Sequence, residues 1–416
     1  MKVAAHTLGC KLNYAETSDL LRRLAEEGNT IVDFHSQADL YLINTCTVTA
    51  VAEKKCRNAI RQAHRQNPDA QIVVMGCFAQ VAAEEIRKMP GVTQVLGNES
   101  KRLLSYSSEY SSAGGPARTR TFFKIQDGCD YFCTYCAIPY ARGRSRSATI
   151  EETLCAARRI AQTGAKEVIL TGVNTGTFGQ HQGESLLELL KKLDQIDGIL
   201  RYRISSIEPN LLTDDIIDFV AHSRAFLPHF HIPLQAGSDH VLQLMHRRYD
   251  TDLYASKLEK IKGQMPDACI AADVMAGFNG ETEDEFRKVL SFIDSIPISY
   301  LHVFTYSDRP GTAALKLGEK IPIPIRHEHT ARLLELSEKK HKEFIASQLG
   351  KIRPVLWEST PHHSSPKLGE VPARAEACVV IQGWTDNYIR LSHPYDPSLV
   401  NTVTEEEIRP GNIVYE

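Results

Sequence analysis

Three cysteines in the middle of the chain are spaced closely enough to bind one metal centre together. Cys129, Cys133 and Cys136, called the middle triplet, lie in the stretch QDGCDYFCTYCAIPYARGRSR with C-x3-C-x2-C spacing. Zinc sites usually take their ligands from two separated pairs, and an odd number of cysteines cannot all pair into disulfides. A [4Fe–4S] cluster usually has four cysteine ligands, so a triplet would leave one iron open to a small molecule. The spacing favours such a cluster, with zinc ligation, a disulfide or chance clustering as the alternatives.

A second set of three cysteines is predicted from the order of strands and helices. Cys10, Cys46 and Cys77, called the N-terminal triplet, follow the first three predicted strands, and each stands before a predicted helix. Because the carboxyl ends of parallel strands lie at one edge of a sheet, these thiols should converge there. The pattern predicts a second three-cysteine cluster, although small apolar residues at strand ends would look the same. The other cysteines are expected to be ordinary thiols: Cys56, Cys155, Cys269 and Cys378.

The composition is that of a globular protein whose cysteines are reduced. The 416 residues are enough for two or three domains, with 42% hydrophobic and 24% charged residues. No apolar run approaches the ~20 residues of a membrane span, and the stretch MKVAAHTLGCKLNYAE turns polar too early for a signal peptide. We therefore expect a cytoplasmic protein without membrane contact, in which all ten cysteines are reduced. With 48 Lys and Arg against 51 Asp and Glu, the net charge is −3, so a nucleic acid would have to meet a local basic patch.

Strands and helices alternate along the first hundred residues, which predicts a parallel sheet covered by helices. The predicted strands are residues 3–8, 39–44, 71–75 and 92–96, and the predicted helices are residues 14–27, 48–65 and 82–88. The Ser-, Gly- and Pro-rich stretch YSSEYSSAGGPAR, residues 106–118, is predicted to be a linker.

After this stretch the alternation resumes with six longer units. The predicted strands are residues 121–126, 167–171, 202–207, 229–234, 271–276 and 300–306, with helices such as 150–163, 185–195 and 283–295. Six units predict an open, partial (β/α)6 barrel whose active site lies at the C-terminal strand ends. The middle triplet directly follows the first of these strands, where that rule places a site.

The last part of the chain has a different pattern. A charged helix is predicted at residues 325–348, and the β-rich runs 354–358, 375–384 and 387–393 predict a small all-β barrel. Residues 351–416 contain six Lys and Arg against nine Asp and Glu, so this part alone is not a strongly electrostatic RNA-binding surface. The chain as a whole is predicted to be an α/β protein. Its expected domains are residues 1–112, 113–345 and 346–416.

The motifs resemble those of the radical S-adenosylmethionine (SAM) methylthiotransferase family over nearly the whole chain. The matching stretches are TLGCKLNYAE, INTCTVT, VVMGC, QDGCDYFCTYCAIPYARGRSRS, LTGVNTG, RISSIEP and IPLQAGSD. The resemblance implies an N-terminal methylthiotransferase domain, a radical-SAM domain and a C-terminal TRAM domain. TLGCKLN resembles the branch that acts on threonylcarbamoyladenosine in tRNA, whereas the other branches usually have GCQMN or GCPKN. One departure is Asn279 in GFNGET, where relatives commonly have Pro, and it is expected to change only the rigidity of that loop.

The resemblance implies a reaction that acid and base side chains cannot perform. It replaces the C2–H bond of N6-threonylcarbamoyladenosine at position 37 of tRNA with C–S–CH3, and such radical chemistry belongs to a cofactor. The implied cofactors are two [4Fe–4S] clusters and two molecules of SAM, one cleaved to a 5′-deoxyadenosyl radical and one serving as methyl donor. The middle triplet would bind the SAM-cleaving cluster, and the N-terminal triplet would bind an auxiliary cluster that holds the sulfur. The implied partners of this monomeric enzyme are the tRNA anticodon loop, an external electron donor and a sulfur donor.

The same resemblance implies further site residues. Tyr135 is expected beside the SAM adenine, and Glu208 near a ribose hydroxyl or the SAM amino group. The other residues expected to bind SAM are Thr171, Gly172, Val173, Asn174, Gln235 and Asp273. Phosphate or substrate-carboxylate contacts are expected from Arg142, Arg144, Arg146 and Arg247. For each residue an ordinary role in a turn, a helix cap or a solvated face is the alternative, and His229 and His231 are expected to be packed or hydrogen-bonded rather than iron ligands.

Two other functions are open on the sequence alone. The same chemistry could act on isopentenyl-adenosine in tRNA or on an aspartate of a ribosomal protein. A different class is an iron–sulfur protein that binds RNA or carries electrons without turnover. An electron carrier would need fully ligated clusters, whereas both triplets leave one ligand position open.

Overall fold

The N-terminal part of the protein is a parallel sheet covered by helices. The computed structural model describes residues 1–100, 119–358, 362–363 and 379–415. The strands are β1 (Lys2–Thr7), β2 (Thr30–Val32), β3 (Leu40–Thr45), β4 (Gln71–Gly76) and β5 (Val92–Leu96). The helices are α1 (Lys11–Glu26), α2 (Ala50–Gln66), α3 (Cys77–Val81) and α4 (Ala83–Arg87). The strand order is β2-β1-β3-β4-β5 and all pairs are parallel, so the predicted architecture of this part is confirmed.

Burial of the central strand explains why this sheet has helices on both faces. All six residues of β3 are buried. Tyr41 and Ile43 belong to an apolar cluster on one face, and Leu40 and Leu42 belong to a separate cluster on the other. Since successive side chains of a strand point to opposite faces, one strand supplies both cores.

The middle of the chain forms six parallel strands in sequence order around an open barrel. These strands are β6 (Arg120–Lys124), β9 (Glu167–Thr171), β10 (Arg201–Ile204), β11 (His229–His231), β12 (Cys269–Ala276) and β13 (Tyr300–Thr305). Strands β6, β9 and β10 form one sheet and β11, β12 and β13 another, and the bridge between Tyr202 and Phe226 continues the first sheet towards β11. Two antiparallel strands of two residues each, β7 (Gln126–Asp127) and β8 (Arg146–Ser147), pair at the base of the loop that carries the middle triplet. The predicted partial barrel is confirmed.

Helices separate the barrel strands, as the alternation predicts. They are α5 (Ile138–Arg142), α6 (Ile150–Gln162), α7 (Leu186–Leu193), α8 (Asp214–His222), α9 (Asp239–Leu244), α10 (Thr251–Gln264), α11 (Glu283–Ser295) and α12 (Ile323–Gln348). Short 3-10 turns lie at Thr175–Thr177, Ala313–Lys316 and Pro397–Leu399. None of the described helices is both long and apolar enough to cross a bilayer.

The C-terminal part is an antiparallel sheet that packs on the barrel. Its strands are β14 (Ile352–Trp357), β15 (His362–His363), β16 (Val379–Thr385), β17 (Arg390–Pro394) and β18 (Val403–Glu407). Arg203 of β10 is fully buried and joins the two parts, because it donates to the backbone carbonyls of Thr385 (2.7 Å) and Asp386 (2.8 Å) and pairs with Glu167 at 2.8 Å. The predicted all-β character is confirmed.

Several elements differ from the predicted ones. The strand β18 was not predicted, nor were the short strands β2, β7 and β8. Helix α1 begins at Lys11, so that Cys10 is its N-cap residue, instead of at residue 14. The predicted linker, residues 106–118, lies outside the described residues, as does Cys378, and the domain limits stay a prediction. Asn279 is fully buried, and its side chain donates a hydrogen bond to the carbonyl of Ala314 at 2.8 Å. This bond stabilises the loop in a way that a proline side chain, which has no donor, could not.

Candidate active site

A cavity of about 280 Å3 opens at the C-terminal ends of the barrel strands. Its lining combines the loop of the middle triplet, the ends of several barrel strands, and the loop that follows β3 of the N-terminal part. The loop after β3 contributes Thr47, Val48 and Thr49, directly behind Cys46. Ligands of barrel enzymes bind at this end of the strands, so the cavity is the candidate active site.

The middle triplet lies on the wall of this cavity in a loop that suits a metal cluster. Burial raises the pKa of Cys129 to about 11 and that of Cys136 to about 12. Thiols with such pKa values are protonated at neutral pH, and a metal that binds them must displace the protons. The backbone N–H groups of Tyr131 and Ile138 donate to Cys129 Sγ and Cys136 Sγ, each at 3.4 Å, which stabilises thiolates. The three thiols and their donors therefore fit a cluster bound through sulfur.

Arg247 connects the middle triplet with the opposite wall of the cavity. Its Nη1 donates to Cys133 Sγ at 3.1 Å and to the Tyr135 hydroxyl at 3.4 Å. Its Nη2 forms an ion pair with Glu208, and its Nε donates to the Tyr249 hydroxyl at 3.0 Å. The guanidinium is almost completely buried, so these contacts fix the orientation of both Glu208 and Tyr135.

Most of the residues expected to bind SAM line the same cavity, and two do not. The lining residues among them are Tyr135, Val173, Asn174, Glu208, Gln235 and Asp273. Thr171 is buried at the end of β9, and a side chain at Gly172 would meet Gln126 Oε1 at 2.9 Å, so both lie behind the wall. Gln235 has a φ of 63°, a strained conformation for a residue with a side chain, and its N–H donates to Asp273 O at 2.7 Å.

The N-terminal triplet lies at one edge of its sheet, as the strand order predicts. The register pairs Thr7 with Asn44 and Thr45 with Gly76, which brings the ends of β1, β3 and β4 to the same level. A side chain at Gly9, whose φ is 103°, would lie 2.7 Å from Cys46 Cβ, so only glycine allows this close approach.

The electrostatics of the N-terminal triplet also suit a metal cluster. Burial, together with the neighbouring Cys77 and Cys10, raises the pKa of Cys46 to about 12. Asn98 Nδ2 is 3.5 Å from Cys77 Sγ, and the Cys56 thiol donates to Cys46 O at 3.5 Å. Cys56 therefore supports this loop, whereas Cys155 is exposed and Cys269 is packed in the core, as ordinary thiols.

The four arginines expected to contact substrate occupy different environments. Arg247 lies at the cavity, as described above, and Arg144 is 73% exposed with its guanidinium 4.7 Å from the Phe132 ring centroid. Arg146 pairs with Asp127 at 2.8 Å. Arg142 is 1% exposed, and its Nη atoms bond to Glu16, Asp127 and Asn13, while its buried Nε has no partner among the described residues, so its side chain is internal rather than on the surface.

Sequence reasoning missed Arg309 at the cavity and the His302 ring that lies beside His231. Arg309 lines the cavity and pairs with Glu53 at 2.8 Å, which ties the N-terminal part to the barrel at the cavity rim. His231 Nε2 is 2.9 Å from Asp273 Oδ1, and the adjacent ring of His302 stands 5.3 Å from His231. His231 is thus hydrogen-bonded, as predicted, while His229 packs against Tyr388 of the C-terminal sheet with ring centroids 4.5 Å apart. No sequence motif predicts these positions for Arg309 or His302, because their partners lie far away in sequence.

Comparison with known proteins places this geometry in a family. The profile described as uncharacterized protein family UPF0004 matches residues 2–97, and that of the radical SAM superfamily matches residues 123–293. A relative in Bacillus subtilis (strain 168), named threonylcarbamoyladenosine tRNA methylthiotransferase MtaB, is 36% identical over 99% of this chain and 95% of its own length. A relative of the same name in Aquifex aeolicus (strain VF5) is 39% identical over 86% of this chain and 93% of its own length. The chain belongs to the radical-SAM methylthiotransferase family.

Other similarities agree with this membership. A tRNA-2-methylthio-N(6)-dimethylallyladenosine synthase of Desulfitobacterium hafniense (strain Y51) is 30% identical over 99% of this chain and 95% of its own length. The solved structure of the radical SAM methyltransferase TsrM from Kitasatospora setae has a TM-score of 0.52 and 14% identity, and it covers 73% of this chain and 74% of that one. That likeness concerns the fold alone. The protein is a radical-SAM methylthiotransferase enzyme, and the cofactors of such enzymes are [4Fe–4S] clusters and SAM.

Proposed function

We propose that this enzyme methylthiolates C2 of the adenine in N6-threonylcarbamoyladenosine at position 37 of tRNA. The observation that carries the proposal is that one cavity is lined by the middle triplet and by the loop that directly follows Cys46 of the N-terminal triplet. All three cysteines of the middle triplet line the cavity, and so do Thr47, Val48 and Thr49. A base in the cavity could then meet both metal centres. The names of the relatives that are 36% and 39% identical support the choice of substrate.

Each triplet is assigned one part of the chemistry. Cys129, Cys133 and Cys136 would hold the cluster that binds SAM, and the N-terminal triplet would hold the cluster that carries the sulfur. When bound, this pair of clusters with two SAM molecules supplies the radical chemistry that an unreactive aromatic C–H bond requires. Each cluster would have three protein ligands, which would leave one iron for a ligand that is not a side chain.

The residues of this chain bind and orient SAM. Glu208 is held by Arg247 with its carboxylate at the cavity, where it would accept from a ribose hydroxyl or from the SAM amino group. The strained backbone at Gln235 and the neighbouring Asn174 line the same space. Tyr135 presents its ring beside the middle triplet, with its hydroxyl bonded to Arg247. Together they would exclude water and orient bound SAM next to the middle triplet.

The carboxylate of the threonylcarbamoyl group needs a cation, since an unpaired buried charge is costly. Arg247 and Arg309 line the cavity, but Glu208 and Glu53 neutralise them. Lys11, which follows Cys10, is partly buried, and burial together with Arg203 and Arg120 lowers its pKa, while Asp273 on the cavity wall attracts its ammonium group. Among the residues that the structure describes, none accepts a hydrogen bond from its ammonium group. Lys11 is therefore assigned to the substrate carboxylate, and its position is one of two, with that of Leu12, at which GCKLN differs from GCQMN and GCPKN.

The rim of the cavity suits a single-stranded RNA loop. An unpaired base of an anticodon loop can turn outwards into a deep cavity, whereas a paired base cannot. Arg144 stacks on Phe132, and Arg248 lies 4.0 Å from the ring centroid of Tyr131. Stacked arginine and aromatic side chains are typical of single-stranded nucleic-acid binding. Because the whole chain has a net charge of −3, binding should be local and should weaken as salt rises.

The alternative is the same chemistry on dimethylallyl-modified adenosine, because a relative with that name matches 99% of this chain. Mass spectrometry of tRNA nucleosides tests both. A strain without this enzyme should accumulate threonylcarbamoyladenosine and lack its methylthio derivative, and the wild-type gene should restore the derivative while Cys46→Ala does not. Loss of the methylthio-isopentenyl nucleoside instead would support the alternative.

A further inference from the structure

We infer that residues 307–314, called the bridging segment, hold the loops of the two cysteine triplets at a fixed distance from each other, with Arg309 as the positioning residue. The inference rests on the proposed function, since it takes both triplets to bind clusters that act on one base. It goes beyond that function because it assigns the spacing of the two clusters to a segment, SDRPGTAA, that contains no cysteine.

The bridging segment contacts the N-terminal part through the Arg309 guanidinium. Arg309 Nη1 donates to Glu53 Oε1 at 2.8 Å and to the carbonyl oxygen of Thr47 at 3.4 Å. The same Glu53 oxygen accepts from Thr47 Oγ1 at 2.7 Å. Thr47 directly follows Cys46 in the chain. Arg309 therefore fixes both the backbone and, through Glu53, the side chain of the residue next to a cysteine of the N-terminal triplet.

The other end of the bridging segment contacts the loop of the middle triplet. The backbone N–H of Ala314 donates to the carbonyl oxygen of Thr134 at 2.8 Å. Thr134 is buried between Cys133 and Cys136, and its hydroxyl donates to the carbonyl of Leu244 at 2.8 Å. One segment of eight residues thus bonds to a residue beside each of the two triplets.

The bridging segment is itself held firmly, so it can fix the position of what it contacts. Arg309 is 7% exposed and Thr312 is 4% exposed. Thr312 Oγ1 donates to the carbonyl of Arg309 at 2.8 Å, and Arg309 Nε donates to the carbonyl of Asp308 at 3.0 Å. At the other end, Asn279 Nδ2 donates to the carbonyl of Ala314 at 2.8 Å. The segment is therefore buried and hydrogen-bonded along its length.

The spacing of the two loops matters because the proposed reaction uses both clusters on one base. Arg309 and Thr47 line the same cavity as the three cysteines of the middle triplet, so their contact lies where the base would bind. Misplacing reacting groups by about 1 Å can lower a rate by about 100-fold. Loss of the Arg309 contact should therefore impair the step that needs both clusters more than the step that needs one.

The test compares the reconstituted wild type with Arg309→Gln. Pulsed electron paramagnetic resonance of the two reduced clusters should show a broader distribution of distances in the variant, with the iron content of the wild type. On threonylcarbamoyl-modified tRNA, the ratio of methylthiolated product to 5′-deoxyadenosine should fall by up to about 100-fold. Arg309→Lys keeps a cation opposite Glu53 and should restore part of this ratio.

The matched control is Arg57→Gln. Arg57 also pairs with Glu53, at 3.7 Å, but both residues belong to α2, so this pair does not join the N-terminal part to the barrel. The control should keep the distance distribution and the product ratio of the wild type. If Arg57→Gln broadens the distribution as much as Arg309→Gln does, the effect comes from the charge balance of Glu53 and the inference is wrong.

The outcomes separate the inference from the proposed function. If the wild type binds only one cluster, both fail together. If it binds two clusters but forms no methylthiolated product, the proposed function fails and the distance measurement alone decides the inference. If Arg309→Gln keeps the distances and the product ratio of the wild type, the inference is wrong while the proposed function stands.

A second variant covers the case in which Arg309→Gln loses iron. Glu53→Gln keeps the arginine and removes only the charge of its partner. A broader distance distribution at full iron content in Glu53→Gln would support the inference. Unchanged distances, or the same loss of iron, would show that the contact does not set the spacing of the clusters, and would overturn it.

Discussion

The Nη1 atom of Arg247 lies 3.1 Å from the sulfur of Cys133, and this contact joins one wall of the cavity to the loop of the middle triplet. The same guanidinium holds Glu208, so one buried cation orients both the proposed cluster ligand Cys133 and a carboxylate expected to contact SAM. A hydrogen bond to a charged group is worth about 1.5–3 kcal/mol, and its loss should be visible in SAM cleavage.

Arg247→Gln should therefore lower the rate of SAM cleavage by about 10- to 100-fold, from the worth of such a bond, while the iron content stays near that of the wild type. Arg248→Gln is the matched control, since Arg248 is the next residue but donates only to the carbonyl of Asp130 among its described hydrogen bonds. Equal rates of SAM cleavage in the two variants would show that Arg247 does not belong to the SAM site.

The two triplets should divide the work between them. Cys133→Ala should abolish SAM cleavage, and Cys46→Ala should leave SAM cleavage in place but stop formation of the methylthiolated product. Iron analysis should show about eight irons in the wild type and about half in a variant without the middle triplet. A Cys46→Ala enzyme that forms product at the normal rate would show that the sulfur site is assigned wrongly.

Much of this site could be predicted from the sequence because topology determines it. The carboxyl ends of parallel strands meet at one edge, so three cysteines spread over 68 residues were expected together, and Cys46 lies beside Gly9 and Cys77. Arg142 could not be placed in this way, because its partner Glu16 is 126 residues away and an arginine in a basic run normally faces solvent. Strand β18 was missed because VTEEE has low β propensity, and its pairing with β14 supplies what the sequence lacks.

Lys11→Met should lower the activity on threonylcarbamoyl-modified tRNA by about 10- to 100-fold, the worth of one charged hydrogen bond. SAM cleavage without tRNA should be unchanged, since Lys11 is proposed to bind the substrate and not SAM. Lys55→Met, an exposed lysine on α2, is the control for loss of one positive charge. Equal activity of the Lys11→Met and Lys55→Met variants would show that Lys11 does not bind the carboxylate of the substrate.

Acidification should loosen the contact between the barrel and the C-terminal sheet at His229. Burial, with Arg203 and Lys11 nearby, holds the pKa of His229 well below 6.5, and neither ring nitrogen has a partner among the described residues. The folded protein keeps this ring neutral while the unfolded chain protonates it, so stability is present above pH 6.5 and is lost as the pH falls below it. The loss should reach at most about 1.4 kcal/mol per pH unit.

Thermal unfolding between pH 7.5 and 5.5 measures this effect. His229→Phe should unfold with a weaker pH dependence than the wild type, whereas His222→Gln, at an exposed position, should not change the slope. The same slope in His229→Phe and the wild type would mean that other groups cause the acid sensitivity.

The most direct test of the account is turnover by the reconstituted enzyme on three forms of one tRNA: threonylcarbamoyl-modified, isopentenyl-modified and unmodified at position 37. The account predicts methylthiolated product from the threonylcarbamoyl form, with the unmodified form bound but poorly converted, because only the former offers a carboxylate to Lys11. Equal turnover on all three, or turnover on the isopentenyl form alone, would contradict it.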